Sequence, residues 1–160
     1  MRLHEFEAKA LFGQYGIPVP PGEVARDQES AARAAQRLGV PVAVKAQVLA
    51  GGRGRAGGIR MADGPGAAGA AAASLLGTSV QGLVCEAVLV EPRLAFVQEL
   101  YLGVTVDAAA GCPVVMLSRH GGIDVEAAAR QRPEGIARQP VDPLGDFTPA
   151  DALRLATAAG

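Results

Sequence analysis

Residues 45–60, "KAQVLAGGRGRAGGIR", bring together one lysine, three arginines and five glycines with no aromatic. Cations beside glycines suit anion binding. Glycine lets backbone N–H groups approach a phosphate closely and tolerates the positive φ angles of such a cradle. Three uses fit this composition: a phosphate loop, an RGG-like nucleic-acid tail and a basic linker. The stretch is not G-x-x-x-x-G-K-[ST], and it does not lead straight into a helix as a dinucleotide fingerprint would. RGG tails come as repeats in disordered sequence, whereas this single copy lies between two strand-like runs, "VPVAVKAQV" (40–48) and "GGIRMA" (57–62). Lys45 sits within the first run. It is either an edge lysine that snorkels to water or an ammonium delivered to the face of a cleft, where a phosphate pairs with it.

Two carboxylates are further candidates. Glu91 ends "AVLVE" and Glu99 lies within "FVQELYLG". Each is either a helix-capping or surface-pairing acid, or a group that accepts from a ribose or base, with both in one cleft. His4 reads as a surface or helix-start residue. His120, in "SRHGG", marks a turn or an anion site at a strand end. Cys85 and Cys112 lie in strand-like surroundings and read as buried reduced thiols, without a disulfide framework or zinc spacing.

These side chains need elements to position them. Of the 160 residues, 49% are hydrophobic, many of them alanine, and 4% are aromatic, so a core of Val, Leu, Ile and Ala is expected. The net charge of -1 opposes a general nucleic-acid or membrane-surface protein. The charged N-terminus is no signal peptide, and no apolar run approaches membrane-span length, which together predict a cytoplasmic protein.

Helix is expected over 3–15, with Leu3, Phe6, Ala10 and Leu11 on its apolar face and Gly16 and Pro18 stopping it. "IPVPPG" (17–22) is a stiff connector and a candidate lobe boundary. A short strand is expected near 23–25, then a helix over 27–38 ending at Gly39. Asp63 is predicted to cap a helix that carries Pro65 in its first turn and runs to Gly77. Strands are predicted over 82–92, 95–107 and 112–119, the last two as an antiparallel pair. A short helix is expected over 124–131, a loop over 140–149, and a final helix from 150 that stops in mid-pattern at Gly160. The irregular alternation of strands and helices predicts an α+β, or mixed α/β, arrangement in two lobes.

Taken together, "LHEFEAKALFGQYGIPVP", "VAVKAQVLAGGRGRAGGIR", "LVEP", "QELYLG" and "DPLG" resemble, in order and spacing, the nucleotide-binding β subunit of succinate–CoA ligase, whose N-terminal part is an ATP-grasp fold. Malate–CoA ligase and ATP-citrate lyase share these motifs. The resemblance spans essentially the whole chain. It implies that Lys45 contacts ATP phosphates, that Gly52, Arg53 and Gly54 form a loop over them, and that Glu91, Leu94 and Glu99 contact the nucleotide. It implies a small lobe over 20–93, with 1–19 and 94–160 forming an incomplete part of the second lobe and the CoA-ligase domain absent from the chain. The implied reaction is succinate + CoA + ATP ⇌ succinyl-CoA + ADP + phosphate, with ATP or GTP as nucleotide. Its phosphohistidine would lie on a partner α subunit and its Mg²⁺ ligands beyond Gly160. On that reading the chain is a fragment with no catalytic residue of its own. A related malate–CoA ligase, a divergent acyl-CoA synthetase paralogue and an ATP-binding module without activity are the alternatives. Two departures stand out: His120 replaces a glutamate of the family's S-x-E-G-G, and Gln98 replaces a lysine before Glu99.

Overall fold

The computed structural model describes residues 2–39, 41–122 and 135–160. The chain divides into two compact units, Met1–Ala95 and Phe96–Gly160.

The first unit is built on a four-stranded sheet in the order β1-β6-β2-β3. Its strands are β1 (Glu23–Ala25), β2 (Val42–Ala46), β3 (Ile59–Ala62) and β6 (Val88–Pro92), and all the pairings are antiparallel. Side chains alternate across the sheet. Val42, Val44, Ala46, Val88 and Val90 are fully buried within one apolar cluster. That cluster takes in α2 (Gln28–Leu38) and α3 (Pro65–Leu75) through Ala31, Ala34, Ala35, Ala68, Ala72 and Leu75. The alanine-rich composition has a packing reason here. A Cβ on Gly69 of α3 would lie 3.0 Å from the Gln28 carbonyl oxygen, so the two helices meet with almost no room for side chains. The other sheet face carries Ala43, Lys45, Leu89 and Glu91.

Helix α2 forms where the sequence predicts it. The Asp27 carboxylate accepts from the Ser30 amide at 2.7 Å, and Gly39 closes the helix at φ 66°. Helix α3 differs at its start. Its N-cap is Gly64, with Pro65 in the first turn, while Asp63 pairs with Arg93 at 3.2 Å. Helix α1 (Glu5–Gln14) has His4 as N-cap, whose amide donates to the Glu7 carboxylate at 2.7 Å. It buries none of its residues, so the predicted apolar face is not what docks it. Its charged residues do that instead.

The predicted single strand over 82–92 is two. Leu83–Val84 (β5) pairs with Ser79–Val80 (β4) in a tight hairpin whose turn residues, Gln81 and Gly82, have φ 53° and 79°. The chain then passes through buried Cys85, whose thiol donates to the Ala87 carbonyl at 3.2 Å, before joining the main sheet. A strand cannot serve both a local hairpin and the centre of another sheet without this break. Both thiols are free, as expected, but Cys112 is half-buried rather than buried.

The second unit holds a three-stranded antiparallel sheet, β7 (Tyr101–Asp107), β8 (Cys112–Ser118) and β9 (Ala137–Pro140), with β8 in the middle. The predicted antiparallel pair is present, in the register Val104↔Val115, but its first strand begins at Tyr101 rather than at 95. Its turn is held by the Asp107 carboxylate, which accepts from Ala109 and Ala110 amides. Strand β9 was not anticipated. Helix α4 (Pro149–Ala159) starts at Thr148, capped reciprocally with Asp151, and buries Leu155. The predicted helix over 124–131 lies outside the described residues.

The division differs from the predicted lobes in one respect. The sequence groups residues 1–19 with 94–160, whereas α1 lies in the first unit, where its Lys9 pairs with Glu91 and its Glu5 with Lys45.

Candidate functional site

Strand register explains how Lys45 meets Glu91. Lys45 pairs with Leu89 across β2 and β6, and Ala43 pairs with Glu91. Lys45 and Glu91 are therefore diagonal neighbours on one sheet face, within reach of a long side chain. The Lys45 ammonium donates to Glu91, and so does Lys9 of α1. Strand β2 has a partner on each side, which excludes the reading of Lys45 as an edge lysine. Glu91 is 4% exposed, so it is no surface-pairing acid either.

Glu5, in the first turn of α1, completes the cluster. One carboxylate oxygen accepts from Lys45 at 3.0 Å and lies 3.2 Å from Lys9; the other accepts from Arg53 at 2.8 Å. Three cations thus surround two carboxylates, leaving one positive charge in excess. Burial by itself would raise the Glu5 pKa. Lys45, supported by Lys9 and Arg53, outweighs that and holds it at about 2. Burial likewise disfavours the charged form of Lys45, yet Glu91 and Glu5 push its pKa above the usual lysine value.

The glycine-rich stretch is folded back on itself. Arg53 accepts from the Gly58 amide through its carbonyl, at 2.8 Å, while its guanidinium donates to the Ala46 carbonyl at 2.8 Å. The Gly52 carbonyl accepts from Ala56 and that of Gly54 from Gly57. Gly52 sits at φ 69°, a left-handed conformation that favours glycine. Gly58 is needed for space, because its Cβ would lie 3.1 Å from the Arg53 carbonyl oxygen. Between this loop and the start of α1 is a cavity of about 580 Å³, lined by Arg2, Glu5, Gly51 and Arg53 among others.

Of the predicted residues, Lys45, Gly52, Arg53, Gly54 and Glu91 therefore fall in one region of the first unit. Leu94 follows β6 and is 58% exposed. Glu99 belongs to the second unit, where Gln98, Glu99, Arg119 and His120 line a cavity of about 680 Å³. Gln98 and His120 thus lie in the same cavity as Glu99. The Gly121 amide donates to the Glu99 carbonyl at 2.9 Å, and a Cβ on Gly121 would lie 2.8 Å from backbone atoms of Glu99 and Leu100. Sequence reasoning missed Arg2, Glu5 and Lys9. The Glu5–Lys9 spacing of four on a helix was the available signal, since such a pair projects both charges to one side.

A half-buried lysine diagonal to a buried glutamate, beside a glycine-rich arginine loop, is an arrangement suited to holding an anion on an α+β scaffold. The ATP-grasp domain family matches residues 2–160, and the chain belongs to that family. It is 45% identical over all 160 residues to the Natronomonas pharaonis protein named succinate–CoA ligase [ADP-forming] subunit beta. It is 43% identical over 160 residues to the Thermus thermophilus protein named succinate–CoA ligase [GDP-forming] subunit beta. In both cases it spans 42% of the relative's length. Among solved structures it is similar to a dinucleotide-forming acetyl-coenzyme A synthetase of Ca. Korarchaeum cryptofilum, determined with coenzyme A, Ca-AMPCP and HgCl+. That match has TM-score 0.76 and 26% identity, covering 97% of this chain and 65% of the other. An ATP citrate lyase of Methanothrix soehngenii, with TM-score 0.68 and 18% identity over 91% of this chain and 36% of the other, shares the fold.

Proposed function

We propose that this chain is the nucleotide-binding portion of the β subunit of an acyl-CoA synthetase that interconverts succinate, CoA and ATP with succinyl-CoA, ADP and phosphate. The observation that carries this reading is the convergence of Lys45 and Arg53, from a strand and a loop, on one carboxylate beside an open cavity. Two cations already held a carboxylate's width apart can take phosphate oxygens in the same places. Phosphoryl transfer needs positioning and charge neutralisation more than covalent chemistry by the protein. On this reading Lys45 and Arg53 neutralise phosphate charge, Gly52 and Gly54 allow close backbone approach, and Glu91 keeps Lys45 charged and aimed. Leu94 and Glu99 are further nucleotide contacts.

The names of the relatives support a succinate–CoA ligase, and one solved relative was determined with a phosphorylated phosphohistidine segment. A partner α subunit carrying that histidine, CoA, a dicarboxylate and a cytoplasmic location belong to the same proposal. Mg²⁺, which would neutralise phosphate charge beside these cations, belongs to the same proposal. The exchange of a glutamate for His120 in the Glu99 cavity favours a second reading, a paralogue acting on another acid such as malate. Titration calorimetry with ADP tests the site. The parent chain should bind, and Lys45→Ala should weaken binding by about tenfold or more, the loss of one charge-assisted contact. Equal binding by the two would remove Lys45 from the phosphate role. Assays of the full-length subunit with its partner, across succinate, malate and citrate, identify the acid.

A further inference from the structure

Glu5 has no part in the site as proposed above, yet it occupies both of the cations assigned to phosphate. Its two oxygens are divided between them, one on Lys45 at 3.0 Å and one on Arg53 at 2.8 Å. Each cation also has a second anchor that does not depend on Glu5. Lys45 donates to Glu91, and Arg53 donates to the Ala46 carbonyl. Loss of Glu5 would therefore leave both cations in place and short of one anion. The residue also lines the cavity between α1 and the loop, together with Arg2 and Arg53. It sits in the first turn of a helix with no buried residue, so moving it disturbs little packing.

We propose that Glu5 is an internal counter-anion that sets the site's affinity for phosphate: its carboxylate holds the phosphate positions on Lys45 and Arg53, and a ligand must displace it to bind. The proposal rests on the nucleotide reading of Lys45 and Arg53 given above. A ligand gains only the difference between its own contacts and those it replaces. A monophosphate carries about 1.5 to 2 negative charges at neutral pH. It therefore gains little by replacing a carboxylate that already bridges both cations. A diphosphate brings more charge and more oxygens to the same pair, so the exchange runs in its favour. Without Glu5, Arg53 would lose its carboxylate partner and Lys45 would keep only Glu91, so every phosphate ligand would be spared the displacement and bind more tightly.

Calorimetric titrations of the parent chain, Glu5→Gln, Glu5→Asp and the exposed control Glu29→Gln with ADP, AMP and inorganic pyrophosphate test this. Glu5→Gln should tighten AMP about tenfold, the effect of removing one unit charge a few ångström away at intermediate dielectric. ADP and pyrophosphate should gain at least as much, because removing a negative charge relieves each ligand in proportion to its own charge, while Glu29→Gln should match the parent. Glu5→Asp keeps the charge on a side chain too short to span both cations and should tighten AMP by an intermediate factor. If Glu5→Gln does not fold, this variant decides, and unchanged or weaker AMP binding overturns the proposal. Should the parent bind ADP while Glu5→Gln binds ADP and AMP more weakly, Glu5 positions the cations rather than competing for them, and the counter-anion role falls alone. A parent chain that binds neither ADP nor pyrophosphate removes the nucleotide reading, and this proposal with it.

Discussion

Lys45 and Glu91 show what single residues disclose and what they withhold. Each is anomalous in its run, a charge among β-branched apolar neighbours, and that anomaly was visible without coordinates. Their partnership was not, because it depends on a register between strands separated by more than forty positions. Glu5 was hidden for another reason: a glutamate in the first turn of a helix is ordinary, being favoured there by the helix dipole. Its environment has a measurable consequence. The Glu5 carboxyl is held at about 2 against an ordinary 4.5. A depressed folded-state value stabilises the protein above the unfolded pKa, and that stability is lost as pH falls from 4.5 through 2. Denaturant melts between pH 6 and pH 2.5 should show a decline that is shallower in Glu5→Gln than in the parent. Parallel declines in the two proteins would contradict the environment described for Glu5.

At the scale of elements, legibility followed the locality of the signal. Helix α2 carries its cap, its dipole-compatible charges and its terminator within a dozen residues, and all three are present. The β7–β8 hairpin is equally local. The misread elements are those whose fate is decided elsewhere. Helix α1 was given an apolar docking face by periodicity, yet it is attached through Glu5 and Lys9 to charges on the sheet. The run over 82–92 has strand character throughout, and only the competing hairpin with Ser79–Val80 divides it. Gly39 offers a clean test of the local part. Open space surrounds the place its Cβ would take, so only the left-handed φ of 66° opposes a side chain. Gly39→Ala should therefore cost about 1–2 kcal/mol of unfolding free energy, measured by urea titration. The same exchange at Gly69 meets the Gln28 carbonyl and probes helix packing instead.

For the whole molecule, the alternation of element types predicts the mixed α/β class with two units, and the division differs from the predicted lobes in the placement of α1. A proline-rich connector at 17–22 invited a division there, whereas ion pairs keep the preceding helix with the first unit. Each unit has its own sheet, and the apolar cluster described around β2 and β6 contains only residues of the first. Leu75→Ala, which empties a position 2% exposed, should cost about 3 kcal/mol in that unit. Native-state hydrogen exchange should register it in β2 and β6, with protection across β7 and β8 unchanged. Loss of protection in both sheets would mean a single cooperative core.

The strand order β1-β6-β2-β3 also bears on how the protein is made. The strand that lies between β1 and β2 is the last of the four to be synthesised. A nascent chain that ends before Val88 has β2 and β3 able to pair, while β1 has no neighbour and Lys45 lacks its buried acid. Such a chain exposes the apolar edges of β1 and β2 until Val88–Pro92 arrives. Closure of the first unit, and with it completion of the charge cluster, waits on that five-residue segment.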